Sequence, residues 1–190
     1  MVNKFAKLFV KDLAKCNNYS EVQQEQMVYI LKILMYELIK LIIILILFLC
    51  FGYFKESILI MIFMMTTKPF TGGYHEDSQV RCFLATIIII TLIIILSKTT
   101  SLNIINSIIL NFISIFCIYN QAPVINEKMP LTKEELIRKN KIIGVINSSI
   151  FLILSIILFN IRWFSQIIVW TSVVQTMLLF NKYKKVHGGR

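Results

Sequence analysis

The sequence predicts an all-α, multipass integral membrane protein with about six transmembrane helices, one of them short, and an amino-terminal amphipathic helix. Hydrophobic residues make up 57% of the 190 residues, and the mean hydropathy is +0.74, which no ordinary soluble domain approaches. The segments 41–51, 87–96 and 150–159 are almost entirely Ile and Leu, as expected for helices solvated by lipid. We therefore expect one membrane domain over residues 1–190.

Residues 1–16 predict an amphipathic helix on the membrane surface. Apolar and basic side chains recur there at roughly helical spacing, with Val2, Phe5, Leu8, Phe9 and Leu13 against Lys4, Lys7, Lys11 and Lys15. This pattern is typical of a helix lying on an anionic leaflet, with membrane lipid as its partner. A flexible basic tail is the alternative. No signal peptide is expected, because the lysines interrupt any continuous apolar run.

The remaining apolar segments predict spans over 21–54, 56–67, 78–97, 101–119, 141–159 and 163–181. Ser20 with Gln23 or Gln24 is suited to cap the first span. In the second, the eleven apolar residues 57–67 would cover only about 17 Å of a hydrocarbon core about 30 Å thick. Either this helix extends at both ends, or it stops short and leaves the next loop below the membrane surface. We favour the second, because irregular backbone is tolerated at depth beside a cavity.

Polar side chains inside two spans predict contacts with protein. Glu37 and Lys40 stand three residues apart in the first span and are expected to pair. A substrate-binding role and simple snorkelling to the interface both remain open for them. In the fourth span, polar residues at helical spacing predict a seam that faces protein: Asn103, Asn106, Ser107, Asn111 and Ser114.

The distribution of basic residues predicts the orientation. With the amino terminus inside the cell, fifteen lysines and arginines fall on cytoplasmic segments and only three, Lys55, Lys98 and Arg162, fall outside. An even number of spans then places both termini in the cytoplasm. The basic connector 120–140 and the basic tail are expected to meet anionic lipid rather than nucleic acid.

The polar segment 68–77 between the second and third spans predicts a catalytic loop. His75, one of two histidines in the chain, lies seven residues before Cys82. A thiol and an imidazole are the nucleophile and the activating base of many cysteine enzymes, so a cysteine enzyme at the membrane is the first hypothesis. On one continuous helix these two residues would be about 10 Å apart along the axis, too far for contact. The helix carrying Cys82 must therefore begin after His75.

Other residues of this loop have predicted supporting roles. Asp77 or Ser78 is a natural helix cap, which would place Cys82 in an early turn where amide dipoles favour a thiolate. Backbone amides near Gly73 or at the helix start are candidate oxyanion donors. Glu76, Asp77 and Gln79 are candidates to orient His75, although acids directly after a histidine more often cap a helix or stay solvated.

The loop resembles a known family. The letters GGYH at 72–75, followed by six residues and Cys82 between hydrophobic spans, are similar to the accessory gene regulator B (AgrB) family of Gram-positive bacteria. The polar segment 121–141 resembles that family's proline- and lysine-containing connector, so the similarity covers most of the chain. The resemblance implies a membrane endopeptidase that processes an AgrD-type quorum-sensing propeptide, with Cys82 and His75 as catalytic residues.

The resemblance also implies a mechanism, a substrate contact and a homodimer. Cys82 would form a thioester with the propeptide and release its carboxy-terminal part, and a substrate thiol or hydroxyl would then close a thiolactone or lactone ring. Family members commonly carry an arginine where this chain has Lys68, and lysine cannot make a bidentate guanidinium contact. The basic connector, including Lys128 and Lys133, is suited to dock an acidic propeptide tail.

The cysteine pattern predicts neither a disulfide framework nor a metal site. Four cysteines occur without paired spacing, and neither a cofactor nor a metal is expected. A small multipass transporter and a noncatalytic membrane assembly protein are the alternative functions. A transporter would be expected to carry charges inside several spans, and an assembly protein would tolerate the loss of Cys82.

Overall fold

The computed structural model describes residues 2–16, 19–73, 78–124 and 134–180, and within them every regular element is helical. The predicted all-α class is confirmed for these residues. A single 3-10 turn, Leu178–Phe180, follows the last helix. The helices are α1 Val2–Cys16, α2 Glu21–Cys50, α3 Phe54–Thr71, α4 Gln79–Thr99, α5 Ile104–Gln121, α6 Glu134–Ile157 and α7 Arg162–Met177.

In the described part of the chain, five helices are long and apolar enough to cross a membrane: α2, α4, α5, α6, and α7 with its 3-10 turn. The predicted sixth, short span corresponds to α3, which is not among them. Its 18 residues include the charged Lys55, Glu56 and Lys68. Many of the large side chains on the five helices are exposed Ile, Leu and Phe. Such surfaces suit lipid rather than water, which makes this a multipass membrane architecture.

The chain divides into two compact units, Met1–Gly52 and Tyr53–Arg190. We call them the amino-terminal unit and the carboxy-terminal unit. The single membrane domain expected from the sequence stays a prediction.

In the amino-terminal unit, α1 packs against α2. Ala6 and Val10 of α1 are buried, while Leu8, Phe9 and Leu13 are exposed on a helix that also carries exposed lysines. An exposed face of this composition suits the boundary between headgroups and acyl chains.

The start of α2 confirms the predicted cap at Ser20. The Ser20 hydroxyl accepts a hydrogen bond from the amide of Gln23, and the Gln23 side chain accepts one from the amide of Ser20. With both bonds present this is a complete capping box, which satisfies two amides at the helix start. The 30 residues of α2 make it about 45 Å long, well beyond the thickness of the hydrocarbon core.

In the carboxy-terminal unit, α7 is the central helix and contacts α3, α4, α5 and α6. Its sequence allows this because small and polar residues let the neighbouring backbones approach closely. The hydroxyls of Thr171 and Thr176 donate to carbonyls one turn earlier, so they are buried without losing a hydrogen bond. The buried residues of α7 are Ser165, Ile167, Ile168, Val169, Thr171, Ser172, Val174, Gln175 and Thr176.

The predicted polar seam of the fourth span is confirmed at three of its five residues. Ser107, Asn111 and Ser114 are buried on α5, and the Asn111 amide donates to the Ser155 hydroxyl of α6 at 3.0 Å. The prediction is wrong for the other two, because they lie at the exposed start of the helix. There the Asn103 side chain is the N-cap and accepts from the amide of Asn106 at 2.8 Å.

Two helix boundaries differ from the predicted ones in ways that matter for the site. α3 reaches Thr71 rather than residue 67, so the favoured short helix is wrong and the extended alternative is right. α6 begins at Glu134, inside the predicted connector 120–140. Two glutamates in its first turn favour the early start because they complement the helix dipole.

A charged contact joins α3 and α4 at the end of the bundle that carries residues 53–56 and 97–100. The Lys98 ammonium lies 3.0 Å from the carboxylate of Glu56, whose side chain is 12% exposed. The same ammonium lies 5.9 Å from the centre of the Tyr53 ring. Two residues after Lys98, the hydroxyl of Thr100 accepts a hydrogen bond from the Trp170 indole at 2.8 Å, which connects α7 to the end of α4. A carboxylate this buried needs its cation.

We expect Lys98→Ala to destabilise the protein more than Lys55→Ala, a change at an exposed lysine of the same region. Removal of the Lys98 ammonium leaves the buried Glu56 carboxylate without this partner, which should cost about 1–3 kcal/mol. Thermal unfolding of both variants in the same lipid measures the difference. Equal midpoints for the two variants would show that the ion pair contributes nothing to stability.

Candidate functional site

The predicted catalytic loop leaves α3 through two glycines with left-handed backbone. Gly72 has φ +69° and Gly73 has φ +119°. The amide of Gly72 donates to the carbonyl of Lys68 at 2.9 Å, which closes the last turn of α3. Residues with side chains rarely adopt such backbone angles, so glycine is needed for the chain to turn here.

The first glycine is pressed against the backbone that follows α5. Gly72 and Val124 form an isolated parallel bridge, in which the amide of Val124 donates to the carbonyl of Thr71 at 2.9 Å. A Cβ atom on Gly72 would overlap the carbonyl oxygen of Val124 and lie 3.0 Å from its carbonyl carbon and nitrogen. Only glycine fits this contact.

The second glycine lies against the end of α7. A Cβ atom on Gly73 would be 3.3 Å from the carbonyl oxygen of Leu178 and 3.5 Å from the Leu179 side chain. Leu179 in turn forms a small apolar cluster with Ile118 and Ala122 of the α5 end. The turn is therefore fixed by α5 on one side and α7 on the other.

Cys82 is the fourth residue of α4 and is half-buried. Its amide donates to the carbonyl of the N-cap residue Ser78 at 2.9 Å. Its own carbonyl accepts from the hydroxyl of Thr86 at 2.7 Å. The helix begins after His75, as the proposed cysteine–histidine contact requires, and Cys82 stands in its first turns. Among the described residues, Cys50, Cys82 and Cys117 are all thiols.

The other predicted site residues are distributed as follows. His75, Asp77, Lys128 and Lys133 lie outside the described residues, so the pairing of Cys82 with His75 and the roles of the other three stay predictions. Gln79 is the exposed first residue of α4.

The predicted substrate-binding residues that the structure describes belong to both units. Lys68 lies half-buried in the last turn of α3, in the carboxy-terminal unit. The predicted ion pair between Glu37 and Lys40 is confirmed on α2, with the lysine largely buried and the glutamate largely exposed. No group of three or more His, Cys, Asp or Glu side chains in the described ranges is placed to hold a metal ion.

A set of polar contacts that hold the end of α3 was not predicted from the sequence. The Gln175 side chain of α7 accepts from the Thr67 hydroxyl at 2.7 Å and donates to the Thr71 hydroxyl at 3.2 Å. The Asn147 amide of α6 donates to the carbonyl of Thr66 at 2.6 Å. On the same helix Gly144 leaves room for Thr71, whose methyl carbon would be 2.8 Å from an added Cβ.

A usable sequence signal existed for part of this set. Thr67 and Thr71 are one helical turn apart and directly precede the two glycines. Gln175 is the second glutamine in a largely apolar final span. A buried glutamine in such a span needs a polar partner. Which partner it finds depends on the packing of α3 against α7, and one helix's sequence does not encode that packing.

The fold and the site define a class of protein: a helical membrane protein with a thiol in the first turns of one span, preceded by a tightly packed diglycine turn. The sequence model of the family described as Accessory gene regulator B matches residues 2–179. The chain therefore belongs to the AgrB family, which takes part in processing the propeptide of a quorum-sensing autoinducer.

A relative of known source agrees with this assignment. The chain is 50% identical over 184 residues to an AgrB-like protein of Clostridium perfringens (strain 13 / Type A), an alignment that covers 97% of this chain and 98% of the relative. No solved structure matches the chain.

We expect Gly72→Ala to destabilise the protein far more than Gly52→Ala. Both glycines have positive φ, +69° and +77°, and such sparsely populated backbone conformations cost a residue with a side chain about 1–3 kcal/mol. Nothing lies within 4 Å of a Cβ on Gly52, whereas a Cβ on Gly72 overlaps the Val124 backbone. This overlap should add about 1–3 kcal/mol.

Thermal unfolding of the two variants in one lipid composition measures this difference. Gly52→Ala controls for the backbone angle alone. If both variants lose the same stability, the contact between Gly72 and Val124 does not constrain the turn.

Proposed function

We propose that this protein is a membrane-embedded cysteine endopeptidase that cleaves an AgrD-type propeptide and promotes its cyclisation. The observation that carries the proposal is the position of Cys82, in the first turns of a helix that begins after the histidine-containing segment. Membership of the AgrB family supports a propeptide as the substrate. The catalytic base in this proposal is His75.

The covalent structure permits the contact between the two proposed catalytic residues. His75 is three residues before Ser78, so its Cα lies within about 10 Å of the Ser78 Cα. Cys82 follows Ser78 by one helical turn, joined by the 2.9 Å hydrogen bond between their backbones. A loop that folds back toward α4 therefore brings an imidazole within reach of the thiol.

The proposed reaction has two acyl transfers. In the first, His75 accepts the proton of the Cys82 thiol, the sulfur attacks a peptide carbonyl, and the proton passes to the departing amine. This releases the carboxy-terminal part of the propeptide and leaves a thioester on Cys82. In the second, a thiol or hydroxyl of the bound fragment attacks the thioester, closes the ring and returns the proton to the Cys82 sulfur through His75.

The thioester conserves part of the energy of the cleaved bond, so ring closure needs no separate energy source. Water must be kept from the acyl-enzyme for this to work, because hydrolysis would give a linear product. A half-buried thiol in a bundle with a lipid-suited surface favours that exclusion. Backbone amides at Gly73 or at the start of α4 are the proposed oxyanion donors, with Asp77 or Gln79 as groups that orient His75.

The proposed substrate contacts are basic and charged residues from both units. Lys68 in the last turn of α3 and the connector lysines Lys128 and Lys133 would attract an acidic propeptide segment. The Glu37–Lys40 pair on α2 is a further proposed contact. The protein is proposed to act as a homodimer in the bacterial plasma membrane, with both termini in the cytoplasm.

We expect purified protein in lipid to hold a fragment of the propeptide encoded beside its gene on Cys82, detectable by intact-protein mass spectrometry. Cys82→Ala should abolish the adduct, and His75→Ala should slow its formation by about 10²–10⁴-fold. Cys117→Ala is the matched control, because Cys117 is also half-buried and should leave the adduct unchanged.

Two results would contradict the proposed peptidase function. Unchanged cleavage by Cys82→Ala would remove the proposed nucleophile. Propeptide binding without cleavage by any variant, wild type included, would favour a transporter or an assembly protein.

We also expect the two ends of the carboxy-terminal unit to face opposite sides of the membrane. Glu134 and Arg162 are exposed at the starts of α6 and α7. In a background without other cysteines, an impermeant maleimide should label Arg162→Cys in intact cells, and Glu134→Cys only after permeabilisation. The reverse labelling pattern would show that the orientation is opposite to the proposed one, with the catalytic loop outside the cell.

A further inference from the structure

A buried amide side chain of α7 makes hydrogen bonds to the end of α3 in the carboxy-terminal unit. Gln175 is 2% exposed, yet it lies on the central helix of a membrane bundle. Its Oε1 accepts from the Thr67 hydroxyl at 2.7 Å, and its Nε2 donates to the Thr71 hydroxyl at 3.2 Å. Thr67 and Thr71 are themselves fully buried. One amide therefore bridges two successive turns of α3.

This bridge is directly continuous with the diglycine turn. Thr71 is the last residue of α3, and the next residue is Gly72. The carbonyl of Thr71 accepts from the amide of Val124 at 2.9 Å, so the residue that Gln175 holds is also the one that anchors the bridge to Val124. A displacement of Thr71 must therefore move Gly72.

The position of the turn matters for the chemistry because His75 follows Gly73 by only two residues. Two peptide units allow a Cα separation of at most about 7 Å. Whatever fixes Gly73 therefore restricts where the histidine side chain is able to reach. Cys82 is fixed separately, by the helical backbone of α4.

Simple helix association would not need this arrangement. The buried hydroxyls of Thr171 and Thr176 on α7 are satisfied by carbonyls of their own helix. The carbonyls of Phe63 and Thr67 also lie within hydrogen-bond distance of the Thr67 and Thr71 hydroxyls. Each threonine therefore has an acceptor available in its own helix, and the glutamine is not required to satisfy it. Its two hydrogen bonds across the interface fix the end of α3 relative to α7.

We propose that Gln175 is a positioning residue for the reaction at Cys82. It locks the last turn of α3 to α7, which sets the diglycine turn and thereby the approach of His75 to the Cys82 thiol. The inference rests on the proposed function, and it adds to that function a specific residue 93 positions away from the nucleophile in sequence.

The first test is a double-mutant cycle of Gln175→Met, Thr71→Val and their combination in full-length protein in lipid nanodiscs. The readout is the rate of acyl-enzyme formation at saturating propeptide, with propeptide affinity and thermal unfolding measured in parallel. Each single variant should lower the acylation rate about 10–100-fold, since small displacements of reacting groups have effects of this size. The double variant should be no slower than the slower single variant, because both changes remove the same hydrogen bond between Gln175 and Thr71.

The matched variants separate positioning from stability. Thr171→Val removes a buried hydroxyl from the same helix, one turn from Gln175, and should leave the acylation rate within about twofold of wild type. Thr71→Ser keeps the hydroxyl but loses the methyl group, and it should restore most of the rate lost in Thr71→Val. Because Thr71→Val and Thr71→Ser change few atoms, they decide the question even where Gln175→Met does not fold.

A second readout tests the thiol itself. In protein whose other cysteines are alanine, the alkylation rate of Cys82 by iodoacetamide is followed against pH without propeptide. Gln175→Met should change this profile toward that of His75→Ala, and Thr171→Val should keep the wild-type profile. A purely structural role would lower the unfolding temperature and leave the profile unchanged.

The outcomes separate this inference from the function on which it rests. A wild-type protein that forms no acyl-enzyme on Cys82 overturns both. A wild-type protein that acylates normally while Gln175→Met and Thr71→Val keep its rate and its alkylation profile overturns the positioning role alone. Loss of rate in Thr171→Val equal to that in Thr71→Val would also overturn it, because any buried hydroxyl would then be equivalent.

Discussion

The close approach of Gly72 to the backbone of Val124 is the constraint on which the candidate site depends. There is no room for a Cβ atom between these two backbone segments, so the end of α3 and the segment after α5 meet backbone to backbone. This contact brings together parts of the sequence more than fifty residues apart. It explains why the loop needs glycine at this position in addition to its left-handed backbone.

A bundle in lipid must build such contacts without a large hydrophobic gain between helices. In the carboxy-terminal unit the interfaces therefore use small residues and hydrogen bonds. Gly144 lets α6 approach Thr71, and the Asn147 amide binds the carbonyl of Thr66. Pro69 lacks an N–H, so the final turns of α3 have one backbone hydrogen bond fewer than an uninterrupted helix, and contacts from neighbouring helices help to hold this end.

How much of this the sequence predicts depends on the range of the interaction. The helical class, the Ser20 capping box and the Glu37–Lys40 pair are local and were predictable from spacing alone. So was the start of α4 after His75, because glycine and charged residues interrupt the apolar pattern. The family resemblance identified Cys82 and His75 as a candidate pair from motif and spacing, without any information about packing.

What the sequence did not predict depends on contacts between distant helices. The length of α3 was underestimated because its final turn contains a proline and polar residues, which are poor signals for helix in isolation. In the structure this turn is held by Gln175 and Asn147 from two other helices. The burial of Glu56 beside Lys98 was missed for the same reason, since the two residues lie on different helices.

In the proposed mechanism, ring closure would place a stricter demand on the site than cleavage. Hydrolysis needs only a water molecule near the thioester, whereas cyclisation needs the base to serve the substrate's own nucleophile while water is kept away. A turn whose backbone is packed under Val124 and Leu178 defines one starting point for the segment that carries His75. A thiol on the first turns of α4 defines the other partner independently. In the proposed mechanism, selectivity for ring formation over hydrolysis therefore depends on the rigidity of these two supports, and buried polar contacts between helices supply that rigidity where lipid cannot.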